Sequence, residues 1–319
     1  MRFAPSSTDT VMPRKVILIA DPGIDTAFAI ALALHDPNLD VVGLIPCAGN
    51  VSAEQASANV LVLIDQLEPQ KWPRTATALP LKYERDGTAL HGPGGLGGVQ
   101  FPVTTKHQHP TADKAIIDLV RQDPREVSVI CLGPATTLAQ AFIRDPELPR
   151  LIDRVVIVGG THREPGNAAP MAEFHFWLDP DSARRVLRSA ADPILIPLDV
   201  TRKLVLSPKE LLELPNPDSR TCQFLRKVVP YGIRASSHLY GIEGFHLKDV
   251  LGIAALALPG SISTHLKVVD VETKGELTSG MIIVDERKSS SATPNCSLGM
   301  GAAIGEIRQW IERVLKSAP

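Results

Sequence analysis

The sequence carries no excess of charge of either sign: 33 Lys and Arg stand against 35 Asp and Glu, for a net charge of −2. Without a basic field to gather phosphates, no nucleic-acid partner is expected, although a single nucleoside is not excluded. Long hydrophobic runs are also lacking. The longest, such as Ala27–Leu34, fall far short of a bilayer span, so no membrane partner is expected. Cysteine is sparse, and Cys47, Cys131, Cys222 and Cys296 form no CxxC pair. All but Cys222 lie in apolar or Gly/Pro-flanked stretches, which favours free thiols in a reducing, cytoplasmic setting. The first residues lack the apolar core of a secretory signal and are broken by Pro5 and Pro13, so residues 1–14 read as a flexible tail. No internal repeat and no long linker interrupts the rest, which reads as one domain over residues 15–319.

What is present is globular. Hydrophobic residues make up 44% of the 319 and charged residues 21%, enough for one large core. Val16–Ala20, Val41–Pro46, Val127–Leu132, Arg154–Val158 and Ile194–Leu198 are short apolar runs of the kind that form buried parallel strands. Helical patterns over Thr26–His35, Ser52–Leu67 (with Ser52 as N-cap) and Thr136–Ile143 alternate with them. Toward the end, Leu266–Glu272 and Gly280–Asp285 read as exposed or antiparallel strands, and Ile304–Leu315 as a closing amphipathic helix. The alternation predicts an α/β fold: a mostly parallel central sheet flanked by helices, Rossmann-like in topology. Ligands of such sheets bind beyond the carboxyl ends of the strands. Asp21, Asp25, Asn50 and the segments after Leu132 and Val158 are therefore the places to look.

Three constellations there carry polar chemistry. In Asp21-Pro22-Gly23-Ile24-Asp25 two carboxylates flank a tight turn at a strand end, which suits a hard cation or a sugar hydroxyl; equally, Asp25 could cap the following helix. Asn167 and Glu173-Phe174-His175 gather an amide, a carboxylate, an imidazole and a ring, the groups a sugar needs, or else form an ordinary loop entering a helix. Asp249 either caps the helix of Leu251–Leu258 or delivers another carboxylate. The run Gly92–Gly97 fits G-x-G-x-x-G literally, but no apolar strand precedes it, which argues against a dinucleotide turn. It reads instead as a mobile loop, with His91 either facing a bound base as part of a lid or solvated on the surface.

Taken in order, these segments resemble the inosine-uridine-preferring nucleoside hydrolases. Ile19–Thr26 is similar to the family's D-x-D-P-G-x-D-D, Gly49–Ser52 to G-N-V-S, and His91-Gly92 with Gly95-Leu96 to H-G-x-x-G-L. Gly133–Thr136 resembles G-P-L-T; Gly166-Asn167 with Ala172–His175 resembles G-N and A-E-F-N, followed by Asp179-Pro180; Lys248-Asp249 stands at the H-D position. The series runs from Val16 to Val284, nearly the whole chain. The resemblance implies a nucleoside N-ribohydrolase of purine and pyrimidine salvage, a homodimer or homotetramer, holding Ca²⁺ at the floor of its pocket. Carried over, Asp21 is a metal ligand and the base for the attacking water; Thr26, Leu132 (through its carbonyl) and Asp249 complete the metal site. Asp25, Asn50, Asn167, Glu173, Phe174 and His175 bind the nucleoside, and Lys248 and His91 join Asp21 as catalytic residues, Lys248 standing at the position that helps the leaving base.

Three of these positions depart from the family pattern. Thr26 replaces a carboxylate, His175 an asparagine and Lys248 a histidine. Each change removes negative charge or adds positive charge, so an altered, weaker metal site is expected. As a proton donor Lys248 needs a depressed pKa. The alternative to an active hydrolase is a non-catalytic nucleoside- or sugar-binding homologue with a degraded metal site.

Overall fold

The computed structural model describes residues 12–82, 87–102 and 109–319. Most of the expected tail, residues 1–11, lies outside the described residues, but Arg14, assigned to that tail, opens the first strand and meets Asp153 at 2.6 Å. The polar residues 83–86, ahead of the glycine-rich run, and residues 103–108 after it also lie outside.

Eleven strands are present among the described residues: β1 Arg14–Ala20, β2 Leu39–Pro46, β3 Val127–Cys131, β4 Val155–Val158, β5 Ile194–Ile196, β6 Val205–Leu206, β7 Phe245–His246, β8 Ile262–Lys267, β9 Val269–Val271, β10 Ile282–Val284 and β11 Cys296–Ala302. Seven form the central sheet in the order β2-β1-β3-β4-β5-β11-β8, parallel throughout except for β8, which closes one edge antiparallel to β11. The predicted mostly parallel sheet is therefore present.

Alternation along β1 explains how the sheet is covered. Val16, Leu18 and Ala20 point into one core, Ile17 and Ile19 into the other, as the two-residue strand period requires. On the first face lie helices Ile24–His35, Ala53–Leu67, Arg220–Tyr240, Lys248–Ala257 and Ile304–Ser317; on the second lie Ala112–Gln122, Thr136–Arg144 and Pro180–Leu187. Ile24–His35 is buried from Ile24 to Ala33 because it is packed among other helices as well as on the sheet, which is why its sequence is apolar all round. Ser52 caps Ala53–Leu67 as expected, accepting the Gln55 amide.

Three expectations need correction. The strand expected over Ile194–Leu198 stops at Ile196, because Pro197 cannot continue the ladder and Leu198–Thr201 turns helical. Leu266–Glu272 is not one strand: the chain breaks at Val268, leaving β8 on the main sheet and β9 in a separate ribbon with β10. The glycine-rich segment is not simply a loop, since Thr88–His91 and Pro93–Gly95 are short helical turns. Gly95 is required there: at φ +83° an added Cβ would meet the Pro22 carbonyl at 2.8 Å.

The ribbon is fastened to the body by a double fork. Arg184 and Arg188 both grip the Asp270 carboxylate of β9. Burial opposes ionisation, but the two guanidinium groups prevail and hold Asp270 down at about 2. A depressed carboxyl contributes stability above its ordinary pKa and loses it as pH falls toward the folded value. The gap in unfolding midpoint between wild type and Asp270→Asn is thus expected to be largest near neutrality and to shrink below pH ~4. A gap that stays constant from neutrality down to the folded value of about 2 would rule the contribution out.

Candidate active site

The chain runs from β1 to β2 on one side and then to β3 on the other, so a crevice opens where β1 and β3 part. Asp21 is the first residue beyond β1 and sits at that point, fully buried. Its Oδ2 accepts the Asn50 amide at 3.1 Å, and the Asn50 side chain in turn donates to the Asp21 carbonyl at 3.0 Å. Gly49 permits this approach, since a Cβ there would lie 2.3 Å from Asp21 Oδ2. The other oxygen, Oδ1, is buried with no hydrogen-bond partner.

The helix after β1 brings Asp25 and Thr26. Asp25 does not cap this helix; the N-cap is Gly23, and the Ile24 amide donates to His91 Nδ1 at 3.0 Å. His91 is therefore neither solvated nor free to swing, being 2% exposed, with Nδ1 committed as an acceptor and 3.8 Å from Asp25 Oδ1. Burial pushes it down to about 4, so the ring is neutral near pH 7. Asp249 is likewise no cap: it lies in the first turn of Lys248–Ala257 and accepts the Thr26 hydroxyl at 2.6 Å. Its neighbour Lys248 places Nζ 3.7 Å from Asp25 Oδ2. Burial works against the lysine's charge, but Asp25, Asp249 and Glu173 raise its pKa, opposite to what a proton donor needs.

Beyond β4, Glu173 caps the short helix Phe174–Leu178, its Oε2 accepting the amides of His175, Phe176 and Gly160 at 2.9, 3.3 and 3.1 Å. This fixes His175, whose Nε2 lies 3.2 Å from Asp21 Oδ2 and whose Nδ1 lies 3.3 Å from the Val158 carbonyl and 3.8 Å from Glu173 Oε1. Burial again opposes the charged form, yet Glu173 and Asp21 raise His175 to about 10. Four carboxylates, Asp21, Asp25, Glu173 and Asp249, are thus each no more than 2% exposed. Burial raises Asp21 and raises Asp249 strongly, whereas Lys248, His91 and His175 overcome burial to keep Asp25 low.

Asn167 is half-buried and accepts the Phe174 amide through Oδ1 at 2.9 Å. Phe174 is half-buried, its ring 5.9 Å from that of His175. Leu132 follows β3 and donates its amide to Ile19 beside the end of β1. A cavity of about 330 Å³, of small-molecule size, opens against this cluster and shares Asn167 and Lys248 with it. Its remaining wall includes Leu90, Arg202, Tyr240 and Phe245. Arg202 went unnoticed in the sequence, although the strand-end rule pointed to it, because it follows β5 by a single helical turn.

The donor set does not fit the Ca²⁺ that the resemblance implies. Asp249 Oδ2 is taken by the Thr26 hydroxyl, and Asp21 Oδ2 by an amide and an imidazole nitrogen. Among the described residues no group of three or more His, Cys, Asp or Glu side chains converges as a metal cage. A cation that takes six to eight oxygens finds Asp21 Oδ1 open but lacks the carboxylate that Thr26 replaced.

Comparison with known proteins agrees with this architecture. The model of the family described as inosine-uridine preferring nucleoside hydrolase matches residues 16–307. The chain belongs to that family. It is 33% identical to the non-specific ribonucleoside hydrolase RihC of Escherichia coli over 308 residues, 95% of this chain and 98% of that one. With the probable uridine nucleosidase 2 of Oryza sativa subsp. japonica it shares 35% identity over 266 residues, 82% of this chain and 79% of the other. The purine-preferring ribonucleoside hydrolase from Gardnerella vaginalis superposes with a TM-score of 0.88 at 26% identity, covering 96% of this chain and 99% of that one. No helix among the described residues is long and apolar enough to cross a membrane.

Proposed function

We propose that the protein hydrolyses the N-glycosidic bond of ribonucleosides, with Asp21 as the base that activates water. The observation that carries this is the Oδ1 of Asp21: a buried carboxylate oxygen without a partner, inside a cluster of four carboxylates beside a cavity of nucleoside size. Family membership and relatives whose names span uridine, purine-preferring and non-specific activities support a ribonucleoside substrate without selecting one base.

The step follows from the charges. As the bond from C1′ to the base nitrogen breaks, its electron pair leaves with the base and positive charge spreads over the ribose. Buried carboxylates stabilise that charge far better than water does. The water oxygen bonds to C1′, its proton passes to Asp21 Oδ1, and the departing base is protonated from solvent. Burial raises the pKa of Asp21, which makes it the stronger base. Asp25, Asn50, Asn167 and Glu173 orient the ribose hydroxyls, and Phe174 flanks the sugar. His91 positions the start of the helix that carries Asp25, by accepting the Ile24 amide. Lys248 lines the cavity, which supports a role in donating to a base carbonyl or ring nitrogen.

Free ribose should appear when the protein is incubated with uridine, cytidine, inosine, adenosine and guanosine, each assayed by reducing sugar. Release from at least one is expected. If folded protein binds a nucleoside and releases ribose from none, the protein is a binding homologue instead.

A further inference from the structure

The departures at Thr26, His175 and Lys248 lie far apart in the chain but meet in one place. The Thr26 hydroxyl has spent its proton on Asp249 Oδ2. His175 is bracketed by acceptors on both sides, the Val158 carbonyl at Nδ1 and Asp21 Oδ2 at Nε2. A carbonyl oxygen can only accept, and a carboxylate oxygen that also takes the Asn50 amide acts in the same way, so each ring nitrogen is placed to donate. Lys248 brings a second cationic head to within 3.7 Å of Asp25 Oδ2, with only 16% of its side chain exposed. Asp249 Oδ2 and Asp21 Oδ2, two of the oxygens an added divalent cation would draw on, are therefore already met by groups of the chain itself.

We propose that this pocket works without Ca²⁺: His175 and Lys248 place nitrogens against Asp21 and Asp25 where the cation would otherwise stand, and Thr26 ties off Asp249. Side-chain geometry alone carries the argument. One carboxylate that would grip a cation is missing, one oxygen of Asp249 is bonded to a hydroxyl, and one oxygen of Asp21 lies 3.2 Å from an imidazole nitrogen. The ribose hydroxyls are then held by protein groups only, Asp25, Asn50 and Glu173 among them. The proposal takes its substrate from the hydrolase reading above, but its first test needs no substrate.

That test is calorimetric titration of chelator-treated protein with Ca²⁺, together with thermal unfolding at rising Ca²⁺ concentration. Wild type is expected to give no saturable heat and an unmoved midpoint. The double variant Thr26→Asp/His175→Asn, which restores a carboxylate and removes the imidazole, is expected to bind Ca²⁺, its midpoint climbing with the logarithm of concentration. Should the double variant fold poorly, His175→Asn alone is titrated, because it frees Asp21 Oδ2 without adding charge. Saturable Ca²⁺ binding by wild type would overturn the proposal, as would ribose release that chelator abolishes and Ca²⁺ restores. Equal release in chelator and in Ca²⁺ supports it. If no ribose is released under any condition, the hydrolase reading fails, while the titration still decides whether the site takes the ion.

Discussion

Asp21→Asn is expected to lower ribose release by about 10²–10⁴-fold, the range that a positioned general base contributes. The amide keeps the shape of the carboxylate and one acceptor oxygen for the Asn50 amide, which donates at 3.1 Å in the wild type. What it loses is the ability to take a proton at Oδ1. The effect should therefore fall on kcat with KM little changed, because the groups proposed to hold the ribose are untouched. Stability should suffer far less than activity. Asp21 is fully buried with one oxygen unpartnered, so the wild type already bears a cost there that an uncharged side chain reduces. Steady-state kinetics alongside thermal unfolding separate the two effects. Turnover unchanged in the folded variant would remove Asp21 from the mechanism.

Glu173→Ala is expected to be the most damaging substitution for stability in this region, about 2–4 kcal/mol from the loss of a helix cap and of charge-assisted bonds to buried amides. A single oxygen of this side chain accepts three backbone amides, those of Gly160, His175 and Phe176, so truncation leaves three donors without an acceptor. The same oxygen joins the end of β4 to the helix carrying Phe174 and His175, and without it His175 is no longer held against Asp21. Activity should fall with stability. Glu173→Gln serves as the control: one acceptor oxygen remains, so most of the cap should survive while the negative charge facing His175 Nδ1 is gone. Denaturant titration of all three proteins tests this, and a loss under about 1 kcal/mol in the alanine variant would show that the cap contributes little.

How much of this was legible in the chain depended on how local the signal was. β1 to β5 could be read because strands buried on both faces need unbroken apolar runs, and Val16–Ala20 and Val155–Val158 are such runs. β11 could not. Its Gly299, Met300 and Gly301 give no strand pattern, and it is a strand because β5 and β8 pair with it from either side. Asp21, Asp25 and Asn50 were visible because strand-end turns announce themselves locally. The partnership of Thr26 with Asp249 was not, because those residues are separated by most of the chain and meet only when two helices pack. For the same reason the readings of Asp25 and Asp249 as caps could not be discarded from sequence. The burial of His91 was hidden by its glycine-rich surroundings, which look like loop until Gly95 is seen pressed against the Pro22 carbonyl.

The place of β11 bears on how the molecule is made. Strands β1 to β5 emerge from the ribosome in an order that lets each find a neighbour, but β5 then waits with one edge open until Cys296–Ala302 has been synthesised. During that interval the nascent chain carries a row of unsatisfied amides and carbonyls on an apolar strand, an invitation to pair with the wrong partner. Slow translation or early termination ahead of β11 should therefore favour aggregates over partly active fragments, even though every carboxylate of the buried cluster has by then been made.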